Sequence, residues 1–256
     1  MEIQKTSGIV LTTKTLGEAD VICSILTKDH GKKQFIFKGL KKSKKRPLSA
    51  KEPGTNLSLV YYYNPEKNRC IISECSIIEA FSTIHRDLEK IYHLSFILET
   101  VERTSADGIG DIKIYHLLEG AIRTLTTTAN NMHLSAFFLL HLLKLQGLFP
   151  VYGICASCSG EITGGLFLSI IDMRQLCRKC AHDYGIIGTN HGQGAFFGES
   201  ISTFIFQAMQ SKFLNMDYSH YGEGELKSLI TTIGRFIEQY YHVKINSLDF
   251  IAPDTI

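Results

Sequence analysis

Asp20-Val-Ile-Cys-Ser-Ile-Leu-Thr27, the turn Asp29-His30-Gly31 and Lys33-Gln-Phe-Ile-Phe-Lys38 decide how the first third of this chain is read. Both runs are short, rich in β-branched and aromatic residues, and separated by a glycine turn, which is the pattern of paired strands. Working outward, Gly8-Ile-Val-Leu-Thr-Thr13 precedes them, and Thr55-Asn-Leu-Ser-Leu-Val-Tyr-Tyr-Tyr63 and Arg69-Cys-Ile-Ile-Ser-Glu-Cys-Ser-Ile-Ile78 follow. Leu16-Gly17-Glu18, Glu52-Pro53-Gly54 and Asn64-Pro65 punctuate the series. Five short strands within residues 7–80 predict a small closed barrel, with the OB-fold as the leading topology. Phe35 and Phe37 share one strand face and are expected in its core, whereas one or two of Tyr61–Tyr63 must point outward because consecutive strand residues alternate.

The charge is uneven. The net charge is +2 over 256 residues, yet residues 1–80 hold 14 Lys and Arg against 8 Asp and Glu, and the remainder holds 13 against 17. The surplus concentrates in Lys38-Gly-Leu-Lys41-Lys42-Ser-Lys44-Lys45-Arg46, between the third and fourth strands, with Lys32, Lys33 and Lys51 nearby. Such a run attracts polyanions through counterion release. On a barrel carrying aromatics, Lys32, Lys33, Lys38, Lys41, Lys42, Lys44, Lys45 and Arg46 become candidate contacts to single-stranded nucleic acid. A solvated basic loop with no ligand is the plain alternative.

From residue 81 the period becomes helical. Leu88, Ile91, Tyr92, Ser95, Leu98 and Val101 mark one stripe, and Ile112, Tyr115, Leu118, Ile122 and Leu125 a second. Leu226, Leu229, Ile230, Ile233, Phe236, Ile237, Tyr240 and Tyr241 mark a third. Leu134–Leu148 is the most apolar stretch, but His141, Lys144 and Gln146 interrupt it, and it reads as a buried central helix rather than a membrane span. The division implied is residues 1–80 as a barrel and 81–256 as a helical domain, giving an α+β chain.

A cysteine module, residues 153–184, is inserted in the helical part. Cys155-Ala-Ser-Cys158 and Cys177-Arg-Lys-Cys180 are separated by eighteen residues. Two Cys-x-x-Cys pairs let four thiolates close a tetrahedron around one zinc ion with no open position, so a structural role is expected. Two disulfides, or four ordinary buried cysteines, are the alternatives. The start MEIQKTSGIV has no apolar signal core, so a reducing, cytoplasmic compartment is expected, and Cys23, Cys70 and Cys75 read as buried apolar residues. His182 and His191 could replace a cysteine ligand, but four cysteines already satisfy the ion.

Signs of catalysis are thin. Gly-x-Ser-x-Gly and His-Glu-x-x-His are absent, and the acidic residues form no evident metal cluster. Gly192-Gln-Gly194, with Gly188 and Gly198, lacks phosphate-loop spacing and reads as a loop. The residues alone leave open a single-strand nucleic-acid-binding protein without turnover, a zinc-ribbon adaptor whose basic arm binds RNA, and a hydrolase with unrecognised active residues.

The succession of motifs resembles one family. Gly8-Ile-Val-Leu11, Leu16-Gly17-Glu18-Ala-Asp20, Leu26-Thr27-x-x-x-Gly31 and Lys38-Gly39 are similar to the start of bacterial RecO recombination-mediator proteins. So are Leu139-Leu-His-Leu-Leu-Lys-Leu-Gln-Gly147-Leu-Phe-Pro150, the two cysteine pairs, and the closing Arg235-Phe-Ile-Glu-Gln-Tyr-Tyr-His-Val-Lys-Ile-Asn-Ser247-Leu-Asp-Phe250. The chain departs from the family in carrying lysine through Lys45, where arginine is more usual, and in its glycine-rich segment 185–198. The resemblance implies an N-terminal OB-fold, a helical domain and a zinc element. It further implies binding of single- and double-stranded DNA, annealing of complementary strands without ATP, work with RecR, and help in loading RecA. It also implies docking of the acidic, apolar-ended tail of single-strand-binding protein. Such a tail needs an apolar groove with a basic rim, and Arg123, Lys144, Lys212 and Arg235, beside apolar helical stripes, are the candidate rim.

Overall fold

The structure is a computed structural model that describes residues 2–43, 47–65, 69–149, 153–184 and 194–252. Two compact units divide the chain, Met1–Thr127 and Thr128–Ile256.

In the first unit, β1 (Glu2–Leu16), β2 (Asp20–Thr27), β3 (Gly31–Phe37), β4 (Asn56–Asn64) and β5 (Arg69–Glu79) form a closed barrel in the order β1-β2-β3-β5-β4. The long β1 pairs with β4 through its first half and β2 through its second, which closes the circle. β3 and β5 pair in parallel at Phe35–Cys70 and Ile36–Ile71, and the other pairs are antiparallel. This is a small closed five-stranded barrel, as the segment pattern predicts, in an order consistent with the OB-fold. Alternation fills the inside with Val10, Val21, Cys23, Ile25, Phe35, Phe37, Leu57, Leu59 and Tyr61, all buried. The Tyr61 ring meets Phe35 edge-on at 5.0 Å, and its hydroxyl donates to Gln4 Oε1 at 2.7 Å. Truncating either ring to alanine is expected to cost about 3–5 kcal/mol, the usual effect of emptying an aromatic site.

Helices α1 (Leu88–Thr104) and α2 (Ile112–Thr127) belong to this unit. Ser24 Oγ donates to Glu102 Oε2 at 2.6 Å, Asn56 Nδ2 to Glu119 Oε1 at 3.1 Å, and the Tyr115 hydroxyl to Asn56 Oδ1 at 3.1 Å. Gly31 (φ +65°) is the turn before β3 and also a docking point, since a Cβ there would lie 2.1 Å from the carbonyl oxygen of Ile109. Residue 80 is thus the end of the barrel, while the compact unit runs on to Thr127 because polar side chains tie both helices to the strands. The first helical stripe is also corrected. Leu88 is 62% exposed and Ser95 is exposed, whereas α1 buries His93, Leu94, Phe96, Ile97, Leu98, Thr100, Val101 and Thr104. That face carries two threonines and a histidine, which an apolar count passes over.

The second unit is built on α3 (Asn131–Leu145), buried on nearly every side from Asn131 to Leu143. Around it stand α5 (Glu199–Gln210) and α6 (Glu223–Tyr241), with α7 (Leu248–Ile251) closing the chain. Between α3 and α5 in the chain lies a three-stranded sheet in the order β7-β6-β8, formed by β6 (Leu166–Ser169), β7 (Gln175–Cys177) and β8 (Gly194–Phe197), with α4 (Arg178–Asp183) between β7 and β8 in sequence. The end of the glycine-rich segment is therefore a strand and not a loop. Gly194 and Gly165 permit it, since a Cβ on Gly165 would fall 2.5 Å from the carbonyl oxygen of Phe197 on β8. Residues 185–193, with His191, lie outside the described residues. Among the described residues no helix is long and apolar enough to cross a membrane.

Candidate metal centre and nucleic-acid interface

The two cysteine pairs converge. The Sγ atoms of Cys155, Cys158, Cys177 and Cys180 all lie within 4.8 Å of one another, with Cys158 and Cys177 4.0 Å apart. All four are free thiols, and this separation is twice a disulfide bond length of about 2 Å. A tetrahedral ion with thiolate bonds of about 2.3 Å would set its sulfurs about 3.8 Å apart, so the donor set fits a metal. His182 is not part of the cluster.

Local backbone geometry builds the first knuckle. Cys155 N–H donates to Gly160 O at 2.9 Å, and Ser159 N–H returns to Cys155 O at 2.9 Å, with Ser159 at φ +56°. The second knuckle is the start of α4, where Cys177 is the N-cap and its Sγ accepts from Cys180 N–H at 3.5 Å. Gln175 joins them: its carbonyl accepts from Ala156 N–H at 2.9 Å and its Oε1 from Gly153 N–H at 3.2 Å. Phe167, Leu176 and Ala181 bury the base of the cluster.

These hydrogen bonds set the sulfur chemistry. Burial opposes ionisation of Cys155, but N–H donors from Cys158, Cys177 and Ser157 outweigh it and pull the thiol down to about 6. A hydrogen bond from Ser157 favours the Cys180 thiolate, yet the other three sulfurs crowd it and push it up to about 12. One sulfur of the set ionises readily and another resists; a bound cation is what lets all four carry charge together.

The basic candidates scatter in environment. Lys32 is committed to the fold: its Nζ donates to the Glu102 carbonyl at 2.6 Å and pairs with Asp107 at 3.4 Å, with only 14% of its side chain exposed. Lys33 Nζ sits 4.3 Å over the Tyr63 ring, at the rim of the barrel interior. Lys38 and Lys42 are exposed and Lys41 is half-buried, beyond the end of β3. Lys42 pairs with Glu18 at 3.6 Å across two exposed side chains, a contact that adds little stability. Lys44, Lys45 and Arg46 lie outside the described residues. Of the aromatics, Phe35, Phe37 and Tyr61 are core, which leaves Tyr62 and Tyr63 for any ligand.

The rim candidates stand in different surroundings. Arg123 lies in the first unit, clamped between Glu79 at 2.7 Å and Glu119 at 3.2 Å, which raises its pKa. In the second unit Lys144 donates to Met209 O at 3.2 Å near the end of α5, Arg235 pairs with Glu238 at 2.8 Å, and Lys212 is exposed. Sequence reasoning misses Glu102, whose carbonyl accepts from Lys32, and Glu79, whose carboxylate holds Arg123. No short-range pattern could reveal them, because each partner lies 44 or 70 residues away in the chain.

Known proteins agree with this architecture. Residues 1–81 match the family model for the recombination protein O N terminal region, and residues 85–185 match that for its C terminal region. A DNA repair protein RecO of Leptospira biflexa is 26% identical over 182 residues, covering 70% of this chain and 73% of its own. One from Pelotomaculum thermopropionicum is 28% identical over 180 residues, 70% of this chain and 69% of the relative. One from Acetivibrio thermocellus is 25% identical over 255 residues, 98% and 97% of the two chains. With the barrel, the helices and the cysteine cluster in the expected order, the chain belongs to the RecO family of DNA repair proteins.

Proposed function

We propose that this protein is a recombination mediator without catalytic turnover. It binds single- and double-stranded DNA on its barrel and lysine arm, anneals complementary strands without ATP, and with RecR helps load RecA onto DNA coated by single-strand-binding protein. One structural zinc ion, held by Cys155, Cys158, Cys177 and Cys180, fixes the knuckle of the second unit. The site of action is the nucleoid in the bacterial cytoplasm, where reducing conditions keep the thiols available. The observation that carries the reading is a closed OB-type barrel with exposed lysines beyond β3, in a chain of this family.

Chemically, annealing asks little of the protein. Two polyanions must be brought together against their repulsion, and lysines that replace condensed counterions do this without fixing base sequence. The test is the pairing rate of labelled complementary strands, without nucleotide, with and without single-strand-binding protein. Changing Lys41, Lys42, Lys44 and Lys45 to Ala should slow pairing and lower the salt slope by about 0.7 for each single-strand phosphate that is no longer neutralised. Wild-type affinity and slope in that variant would overturn the assignment of the arm. Pairing of RNA strands only would turn the reading to an RNA adaptor.

A further inference from the structure

In a soluble barrel, residues flanking the core along each strand face outward and are expected to be polar. Here the outward neighbours of the core residues form an apolar row from strand to strand. Ile3 on β1 stands opposite Tyr62 on β4, and Tyr62 opposite Ile71 on β5. Ile71 pairs with Ile36 on β3, and Ile36 with Ile22 on β2. Ile22 faces Lys14, back on β1. The row leaves β1 at residue 3 and rejoins it at residue 14, so the stagger of the barrel turns it into a spiral. Ile3 is 63% and Tyr62 38% exposed, and Ile22, Ile36 and Ile71 are half-buried.

The row is one side chain wide except on β4, where Val60 stands two positions from Tyr62 on the same face. Beside it, two positions along the strands, are Lys5 on β1, Arg69 on β5, and Gln34 and Lys38 flanking Ile36; all are exposed, as is Lys14 at the end of the row. Asp20 lies near this end but accepts from Gly39 N–H at 2.7 Å, Glu102 reaches the same face beside Ile22 where it accepts from Ser24 Oγ at 2.6 Å, and Glu74 is exposed near Ile71 on β5. A protein partner needs a two-dimensional apolar patch depleted of charge at its centre. A line of apolar contacts bordered by cations instead matches an unpaired strand, whose base faces need apolar cover while its phosphates need positive charge. A duplex hides its base faces in its own stack and gains only the cations.

We infer that the row Ile3–Tyr62–Ile71–Ile36–Ile22 is a base-contact track for single-stranded nucleic acid, with Lys5, Lys14, Lys38 and Arg69 alongside the phosphates. This rests on the nucleic-acid reading above, and the row is distinct from the lysine arm. The track discriminates unpaired from paired DNA, while the arm binds both.

The test uses the full-length protein, a labelled oligothymidylate and an abasic strand of the same length. The variant Ile36→Thr/Tyr62→Thr/Ile71→Thr keeps β-branched residues in the strands and removes apolar surface; Tyr62→Thr alone, at an exposed site, covers the case where the triple variant fails to fold. Oligothymidylate affinity should fall about tenfold or more in the triple variant, the effect expected for removing one base contact. Its salt slope should stay unchanged, and abasic-strand affinity should not move. Equal losses on both strands, or no loss on oligothymidylate, overturn the track. So does a row variant that only dissociates a dimer of the wild type, seen by sedimentation, since the row would then be an interface between copies. If Lys41→Ala/Lys42→Ala also leaves oligothymidylate binding and its slope untouched, the nucleic-acid reading itself falls. If the lysine variant weakens binding and the row variant does not, only the track falls.

Discussion

Cys23 in the barrel and Cys155 in the knuckle are both fully removed from solvent, yet their thiols are pushed in opposite directions. Burial pushes the Cys23 thiol up to about 11, and a hydrogen bond with Thr13 only partly opposes it. Cys155 is drawn down to about 6 although burial opposes it, because three backbone N–H groups point at its sulfur. Burial alone does not decide what a cysteine does; the donors aimed at it do. The same contrast runs through the two units. The first is held by strand register and by polar side chains reaching across it, as in Ser24 to Glu102 and Asn56 to Glu119. The second is an apolar helix in an apolar setting, with a small sheet whose own core is Phe167, Leu176 and Ala181 against the sulfur cluster.

Metal removal should separate the units most sharply. Structural zinc in small domains contributes on the order of 10 kcal/mol of folding free energy. Chelation, or Cys177→Ser, should therefore unfold residues around 150–185, lower solubility and leave the barrel melting where it did before. Elemental analysis should find one zinc per chain in the wild type under reducing conditions and none in the variant. Zinc-free wild-type protein with an intact knuckle would place both units on the same footing and sink the contrast.

Acid should reach both units, by different groups. His93, buried in α1, is pushed down to about 4 by burial, with Glu89 opposing weakly. Folded protein stays unprotonated there between pH 4 and 6.5 while the unfolded chain takes up a proton, so stability is full above about 6.5 and falls as the pH drops. The loss approaches about 3 kcal/mol by pH 4. Burial also lowers His133 and His141 in the second unit, so it weakens in the same direction. His93→Gln should flatten the acid dependence of the barrel transition alone, followed by calorimetry between pH 7 and 4. An unchanged slope would mean that His93 is solvated or paired in the folded state.

How far the sequence reaches depends on the range of the interaction. Strand positions are legible to within a few residues because alternation and glycine turns are local: the Asp20–Thr27 segment coincides with β2, and β1 extends beyond Gly8–Thr13 to Glu2 through pairing with β4 and to Leu16 through pairing with β2. The cysteine cluster is legible because spacing alone brings a pair to one ion. The attachment of α1 and α2 is not, since it rests on Glu102 and Glu119 meeting residues more than 60 positions earlier. Nor is β8, whose glycines look like a loop until Gly165 leaves room for it. The apolar row on the barrel depends on register across five strands, which no linear pattern encodes.

Lys32 and its neighbours sharpen the contrast between a structural and a ligand-facing charge. Lys32→Ala leaves Asp107 and the part-buried Glu102 carbonyl without their cation and should cost about 1 kcal/mol of stability. It should leave the salt slope of DNA binding unchanged. Lys41→Ala/Lys42→Ala should do the reverse, flattening the slope with a change in stability within about 0.5 kcal/mol. Paired thermal melts and salt titrations decide it; a flattened slope for Lys32→Ala would move that residue back among the phosphate contacts.

The smallest effect is expected at the rim proposed for an acidic, apolar-ended tail. Of the four candidate cations, Arg123 is engaged by Glu79 and Glu119, Arg235 by Glu238, and Lys144 by a carbonyl near the end of α5. A carboxylate arriving at any of these must displace a bond already made, so the net gain is small. Lys212 is exposed and stands two residues from Leu214, which is 78% exposed, and so combines a cation with apolar surface. Titrating a labelled tail peptide against single alanine variants should therefore show a loss of about 1 kcal/mol at Lys212 and less at the others. Arg123→Ala should instead lower the melting temperature of the first unit, because it uncovers two carboxylates. A full-sized binding loss at Arg123, with unchanged stability, would put the tail on the barrel unit and reverse the assignment of partner surfaces.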